Sequence, residues 1–240
     1  IQKLYEKTNN NFIAISDEFN IYYKKKLSNK NKKNIYILYN CIDFEKFKGV
    51  PKRIIDRKKI RLINCARNTE LKNQLFLIDV INYLVNHINL NNFYLEVLGD
   101  GPLNKELINK VNKLKLNKYI NIIGKVDYVE DYYKKSDIYL HSGLDAIFGL
   151  STMEAMCSGL PVVGLKGNSF DRIIINEVNA LISDNNDIIK FSENILKLVT
   201  DKNIYKQISK NNLDLSKSFS IDNYAKKIYD LYKDSISSTN

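Results

Sequence analysis

Short runs of apolar residues alternate with segments of helical spacing along most of the chain. Between two such runs, apolar side chains from Leu75 to Ile88 recur at intervals typical of an amphipathic helix. Strands that alternate with helices predict a mostly parallel sheet with helices on both faces, a Rossmann-like α/β fold. The predicted strands are Ile60–Cys65, Phe93–Leu98, Ile120–Ile123, Asp137–Leu140, Pro161–Leu165 and Ala180–Ile182.

The two ends of the chain predict further elements. Phe12–Ser16 and Ile35–Tyr39 are predicted strands, and a helix is predicted between them over 17–27. We expect residues 1–50 to form a separate unit, followed by a basic linker at 51–59 and the main domain at 60–218. The tail from Ile188 to about Ser235 is predicted to be helical, and its last helix, in 219–240, begins near a cap at Ser220 or Asp222.

Composition limits the classes of function. The 240 residues suffice for one large domain, or one domain and a fragment, and carry a formal net charge of +10. That charge favours nucleic acid, an anionic membrane face or a phosphorylated ligand as partner, unless it only reflects a lysine-rich composition. No leader peptide or long apolar run is present, so we expect a cytoplasmic protein. Its three widely spaced cysteines are predicted to be buried free thiols.

Candidate chemistry follows the predicted strands, where ligands bind in parallel α/β sheets. Arg67 and Lys72, five residues apart after the first strand, suit a diphosphate clamp, although solvated surface cations are the alternative. The second strand leads into the turn sequence Gly99–Pro102, and the third into Lys125 and Val126. His141 ends the fourth strand, and we expect it to be a structural or rim residue.

Residues 145–163 are the most informative stretch. A predicted turn at Phe148 and Gly149 opens a short helix that carries Glu154, and a β-branched strand follows Pro161. A helix N-terminus offers unpaired N–H groups and partial positive charge, so it suits a phosphate. The helix is predicted to bury a stripe formed by Leu150, Met153 and Cys157.

The stretch resembles the donor-site segment of retaining GT-B glycosyltransferases, glycosyltransferase family four. That family's pattern is Glu-x-Phe-Gly-Leu-x-x-x-Glu-Ala-Met-x-x-Gly-x-Pro-Val-Val. Glu154 matches its second glutamate, whereas Ala146 stands at the position of the first and Asp145 lies one residue earlier. The resemblance covers about residues 11–235.

The resemblance implies a role for each candidate residue. Arg67 and Lys72 would be catalytic, since they would stabilise negative charge on the leaving diphosphate. Glu154 would accept hydrogen bonds from ribose hydroxyls, and backbone near Lys125 would meet the base. The residues implied to bind the donor are Gly99, Asp100, Lys125, Val126, Asp145, Phe148, Gly149, Leu150, Ser151 and Glu154.

For the complete protein the resemblance implies transfer of a sugar from a nucleotide-diphosphate sugar to an acceptor hydroxyl, with retention, in bacterial surface glycan or glycoconjugate synthesis. Residues 1–50 would be a remnant of the N-terminal acceptor domain, and the last helix would cross back onto that domain. This chain alone would then bind the donor without transferring it. The acceptor, a glycan or a lipid-linked glycan, would reach the missing domain.

The same residues bear on cofactors, other partners and an alternative function. We expect no cofactor and no metal, because the chain has no Asp-x-Asp and no His/Cys spacing for a metal. We do not expect nucleic acid as a partner, but we expect weak association with an anionic membrane face. The alternative function is a non-catalytic partner subunit, which Ala146 favours and Arg67, Lys72 and Glu154 oppose.

Overall fold

The computed structural model describes residues 11–26, 34–50, 59–144, 149–167 and 174–237. Within these ranges, strands β1 (Asn11–Ala14) and β2 (Asn34–Ile37) pair in parallel beside helix α1 (Asp17–Lys26). A separate parallel sheet of six strands forms the body of the molecule. Its strands are β3 (Ile60–Cys65), β4 (Phe93–Leu98), β5 (Ile120–Gly124), β6 (Ile138–His141), β7 (Val162–Leu165) and β8 (Ala180–Ser183).

The strand order of this sheet is β5-β4-β3-β6-β7-β8, and every neighbouring pair is parallel. The predicted α/β fold class is therefore confirmed, and each of the six predicted strands lies within one residue of its observed bounds. Burial explains this agreement. A parallel sheet covered on both faces needs nearly continuous apolar strands, and such runs are conspicuous in the sequence.

Helices cover both faces of the sheet and form two apolar clusters. Phe76 and Phe191, from helices on one face, meet edge to face with ring centroids 5.3 Å apart. On the other face, Met153 and Met156 pack with Tyr133. The helices are α2 (Phe44–Phe47), α3 (Gln74–Asn86), α4 (Asn104–Lys113), α5 (Val129–Lys135), α6 (Leu150–Cys157), α7 (Ile188–Thr200), α8 (Lys202–Ser216) and α9 (Ile221–Ser237).

The predicted helical tail is confirmed as α7, α8 and α9. Polar side chains cap the helices where one ends and the next begins. Asp201 accepts hydrogen bonds from the first N–H groups of α8, and the Ser220 hydroxyl accepts one from Asn223 at the start of α9. Ser220 is thus the cap of the last helix. None of the helices in the described ranges combines the length and the apolar character that a membrane span requires.

The segment that precedes the linker packs on the sheet domain. The Gly49 N–H donates to the Cys157 carbonyl at 2.9 Å, and the Ser158 hydroxyl donates to the Phe47 carbonyl at 3.0 Å. The Ile42 N–H donates to the Phe219 carbonyl at 2.9 Å. Residues 42–49 are therefore held by α6 and by the turn that precedes α9. The domain boundaries stay predictions, and linker positions 51–58 lie outside the described residues.

A glycine turn lies against the loop that leaves β3. Gly99 has a φ of +121°, and a Cβ there would overlap the Ala66 carbonyl oxygen. A Cβ on Gly101 would overlap the Asn68 carbonyl oxygen in the same way. Only glycine permits this contact between the two loops, so the Gly99–Gly101 turn fixes where the β3 loop can lie.

We predict that Gly99→Ala destabilises the chain more than Gly124→Ala does. Gly124 also has a positive φ, +88°, but no atom lies within 4 Å of the place that its Cβ would take, so alanine there costs only backbone strain of about 1–2 kcal/mol. Gly99→Ala must also displace backbone, which adds roughly 2 kcal/mol or more. Urea unfolding followed by circular dichroism measures both variants, and equal losses of unfolding free energy contradict the prediction.

Candidate functional site

The strand order reverses between β3 and β6. From β3 the chain continues to β4 and β5 on one side, and it then returns to β6, β7 and β8 on the other. The carboxyl ends of β3 and β6 therefore border a crevice, which is where open α/β sheets bind ligands. A cavity of about 310 Å³ lies there. It is lined by Asn40, Asn64, Cys65, Ala66, Arg67, Lys72, Tyr139, His141, Ser142, Gly143, Gly149, Leu150, Ser151 and Thr152.

The loop after β3 brings Arg67 and Lys72 to the same cavity. Buried Gln74 stabilises this loop, because its Nε2 donates to the Arg67 carbonyl at 3.2 Å. Directly after β6, the Ser142 hydroxyl donates to the Lys72 carbonyl at 2.7 Å. Two hydrogen bonds to main-chain carbonyls thus fix the backbone that carries the two cationic residues of the cavity wall.

The Gly99–Gly101 turn does not line the cavity but contacts the loop that does. The Asn68 amide donates to the Gly99 carbonyl at 3.0 Å, and the Asn68 N–H donates to the Asp100 carbonyl at 3.1 Å. Neither Gly99 nor Asp100 lines the cavity, and neither Lys125 nor Val126 does. Donor binding by these four residues stays a prediction, and the contacts of the glycine turn are structural.

The start of α6 closes another side of the cavity with Gly149, Leu150 and Ser151. Gly149 is the N-cap residue and has no side chain that could cap this helix. The Thr152 N–H donates to the Gly149 carbonyl at 3.0 Å, which leaves the N–H groups of Leu150 and Ser151 as the donors that a helix start offers, together with its partial positive charge. Phe148 and Asp145, predicted to contact the donor, lie outside the described residues, as does Ala146.

Leu150 is not part of the buried stripe predicted for α6. Met153 and Cys157 are buried as expected, but Leu150 is 45% exposed. The prediction was wrong because Leu150 is the first residue of a helix that begins at the cavity, where its side chain remains open to solvent. The sequence pattern alone does not distinguish a cavity wall from a core.

Glu154 lies one turn further along α6 and is half-buried. The Tyr133 hydroxyl is 3.2 Å from Glu154 Oε2 and 3.2 Å from the Ser151 carbonyl oxygen, so two acceptors share its proton. Burial raises the pKa of the Glu154 carboxyl, and the Tyr133 hydrogen bond and the positive charge of Lys46 offset part of that rise. Glu154 does not line the cavity itself.

His141 connects the end of β6 to the first turn of α6. It is 8% exposed, and its Nδ1 lies 3.2 Å from the hydroxyl oxygen of buried Thr152. It fits the structural or rim role predicted for it. The sequence did not single out Thr152, Asn64 or Tyr139, although all three line the cavity, because a polar or aromatic residue within an apolar strand or helix carries no functional signal of its own.

The cysteines are free, but only Cys157 is fully buried. Cys41 and Cys65 are partly buried, which corrects the prediction for these two, since Cys65 ends β3 at the cavity. Burial nevertheless raises the pKa of the Cys65 thiol. Across the described ranges, no group of three His, Cys, Asp or Glu side chains is arranged to hold a metal ion.

Comparison with known proteins gives a family. The model of the family described as glycosyl transferases group 1 matches residues 45–214. An Escherichia coli protein, UDP-Gal:alpha-D-GlcNAc-diphosphoundecaprenol alpha-1,3-galactosyltransferase, is 27% identical over 212 residues, 84% of this chain and 54% of that protein. Alpha-monoglucosyldiacylglycerol synthase of Acholeplasma laidlawii is 27% identical over 146 residues, 60% of this chain and 36% of that protein. The match thus spans about half of the first relative and about a third of the second.

Solved structures share the fold. Anabaena Alr3699/HepE, solved in complex with UDP and glucose, matches with a TM-score of 0.82 at 18% identity, over 96% of this chain and 65% of that chain. The pneumococcal O-GlcNAc transferase GtfA, in complex with UDP and GlcNAc, matches with a TM-score of 0.78 at 19% identity, over 94% of this chain and 45% of that chain. The α/β architecture is therefore that of GT-B glycosyltransferase structures.

We predict that Tyr133→Phe raises the pKa of Glu154 further. The Tyr133 hydroxyl donates to the carboxylate and so stabilises its charged form, which the variant can no longer do. Carboxyl carbon NMR titration of the labelled chain measures the shift. Tyr128→Phe, at a residue 69% exposed, is the matched control. An unchanged Glu154 titration in Tyr133→Phe contradicts the prediction.

Proposed function

Since this chain belongs to the glycosyl transferases group 1 family, we propose that it provides the nucleotide-sugar donor site of a retaining, family-four GT-B glycosyltransferase. The complete protein then transfers a sugar from a nucleotide-diphosphate donor to an acceptor hydroxyl. One observation carries the proposal: Arg67, Lys72 and the open N-terminus of α6 border one cavity at the switch point of the sheet.

These groups suit a diphosphate. The guanidinium of Arg67 offers several donors in a plane, the ammonium of Lys72 is a compact charge, and the start of α6 adds N–H groups at Leu150 and Ser151. When the bond to the sugar breaks, negative charge grows on the leaving diphosphate. Preorganised positive groups stabilise that charge, which is commonly the largest catalytic contribution.

Glu154 is the proposed acceptor for ribose hydroxyls. Glu154 lies one turn beyond Ser151 on α6, and the Tyr133 hydroxyl donates to one of its carboxylate oxygens. The roles proposed for Lys125 and Val126 near the base, and for Gly99 and Asp100, rest on the resemblance of the sequence motifs.

The acceptor is proposed to be a glycan or lipid-linked glycan, bound by an N-terminal domain outside this chain. The names of the relatives support this class, since the Escherichia coli protein is named for a diphosphoundecaprenol-linked acceptor and the Acholeplasma protein for a glucosyldiacylglycerol product. Bacterial surface glycan or glycoconjugate synthesis at the cytoplasmic face of a membrane is consistent with the net charge of +10.

A non-catalytic partner subunit is the second candidate. Ala146 favours it, because the family pattern has a glutamate at that position. Such a subunit would keep the fold and bind another glycosyltransferase. It predicts that nucleotide binding is weak or absent, so one titration separates the two candidates.

We predict that the chain binds UDP or GDP saturably and that Arg67→Ala and Lys72→Ala each weaken this binding about 10- to 100-fold, the usual effect of losing a hydrogen bond to a charged group. Isothermal titration calorimetry measures both nucleotides. Arg61→Ala is the matched control, because Arg61 is an exposed arginine near the opposite end of β3, about 20 Å from Arg67 along the strand.

Two results would contradict the donor-site proposal. The first is no saturable binding of either nucleotide, which supports the partner-subunit alternative. The second is equal loss of affinity in Arg61→Ala and Arg67→Ala, because this would reduce the effect to general attraction by net charge.

We predict that nucleotide affinity falls as the pH is lowered through the raised pKa of Glu154. Above that pKa the carboxylate accepts hydrogen bonds from the ribose, and below it the protonated group loses acceptor capacity. Titration with UDP across acidic pH compares the chain with Glu154→Gln, which keeps the shape and cannot ionise. Protonation of the diphosphate affects the unaltered chain and Glu154→Gln alike. Identical pH profiles of affinity in the two proteins would therefore contradict the assignment of Glu154 as the ribose contact.

A further inference from the structure

A buried asparagine lies at the base of the proposed donor site. Asn64 precedes the last residue of β3, is 2% exposed and lines the cavity. By the alternation of side chains along a strand it shares a face with Ile60 and Leu62, which are fully buried apolar residues. An amide in such a position is costly unless its polar atoms find partners.

One half of the Asn64 amide has a structural partner. Its Nδ2 donates to the Leu140 carbonyl of β6 at 2.8 Å. The register between β3 and β6 ends at the pair Ile63 and Tyr139, so this side chain adds the next link between the two strands. A carbonyl only accepts, so the contact fixes which end of the amide faces β6 and therefore where Oδ1 stands.

The other half of the amide has no partner among the described residues. Oδ1 of Asn64 is fully shielded from bulk solvent and accepts no hydrogen bond from any of them. A buried acceptor left unsatisfied is unfavourable, and a ligand in the cavity that supplies a donor removes that penalty. Because Asn64 lines the cavity, an O–H or N–H group of a bound ligand can reach Oδ1 once the side chains that cover this atom shift slightly.

The chemistry of the ligand narrows the choice of donor. Diphosphate oxygens are acceptors at neutral pH and do not suit an amide oxygen. Glu154, the proposed ribose contact, hydrogen-bonds to Tyr133, which belongs to the apolar cluster on the opposite face of the sheet. The base, which carries N–H donors, is proposed to lie near Lys125 and Val126, and these residues do not line the cavity. The remaining group with hydroxyl donors is the transferred sugar.

We propose that Asn64 Oδ1 accepts a hydrogen bond from a hydroxyl of the donor sugar, and that Asn64 is therefore a specificity-determining residue. This rests on the proposed donor-site function. The role concerns the sugar only, so the residue should distinguish a nucleotide sugar from the nucleotide alone.

The test compares two buried amides with the same local pattern. Asn212 in α8 is fully buried, donates from Nδ2 to the Leu160 carbonyl at 2.8 Å and also has an Oδ1 without a partner among the described residues, but it does not line the cavity. Asn64→Leu and Asn212→Leu each replace an amide with an apolar side chain of similar size. Thermal unfolding first establishes that each variant is folded.

Calorimetry then measures the affinities for UDP, UDP-glucose and UDP-galactose, or for GDP and GDP-mannose if GDP is the nucleotide that binds. In Asn64→Leu we expect the affinity for the nucleotide sugar to fall about two- to tenfold while that for the bare nucleotide is unchanged. Asn212→Leu should leave both affinities unchanged. An equal loss for sugar and bare nucleotide in Asn64→Leu, or no loss, overturns the inference.

A second measurement compares ligands on one and the same protein, so a general loss of affinity in the variant cancels. With the unaltered chain, UDP-glucose analogues that each lack one hydroxyl should include one analogue of reduced affinity, and Asn64→Leu should bind that analogue as well as it binds UDP-glucose. If removal of the hydroxyl and the Asn64→Leu substitution reduce the affinity independently and additively, the inference is overturned. Absence of any nucleotide binding is a different result, because it refutes the donor-site function itself.

Discussion

The reversal of strand order between β3 and β6 is the constraint on which the rest of the structure depends. The chain runs from β3 outward in one direction and from β6 outward in the other, so the carboxyl ends of these two neighbouring strands border a crevice. Helices bury both faces of the sheet. The carboxyl ends of β3 and β6 are not covered in this way, and main-chain groups and polar side chains line a cavity there.

Side-chain amides hold this opening in shape. Asn64, Asn68 and Gln74 each donate to a main-chain carbonyl of a neighbouring strand or loop. Loops at a sheet edge lack the regular ladder of hydrogen bonds, and buried carbonyls still need donors. The side-chain amide N–H groups supply these donors, and each amide oxygen is then still able to accept another hydrogen bond. Apolar residues in the same positions would provide neither group.

Much of the fold could be predicted from the sequence because burial on two faces imposes long apolar runs, as in β3 and β4. Arg67, Lys72 and the start of α6 could also be placed at one edge, since parallel strands bring their carboxyl ends together. The role proposed for Asn64 could not be predicted from the sequence, because it depends on an oxygen whose surroundings only three-dimensional packing defines. Leu150 was misassigned for the converse reason, since helical spacing does not reveal which turn faces a cavity.

The short helix α6 is attached at both ends. Its first residues border the cavity, whereas Cys157 at its last position accepts from the Gly49 N–H, and Ser158 beyond it donates to Phe47. Eight residues of α-helix span about 12 Å and bend little over that length. A displacement of Gly49 is therefore transmitted along α6 to the residues that border the cavity. This helix links the segment before the linker mechanically to the cavity.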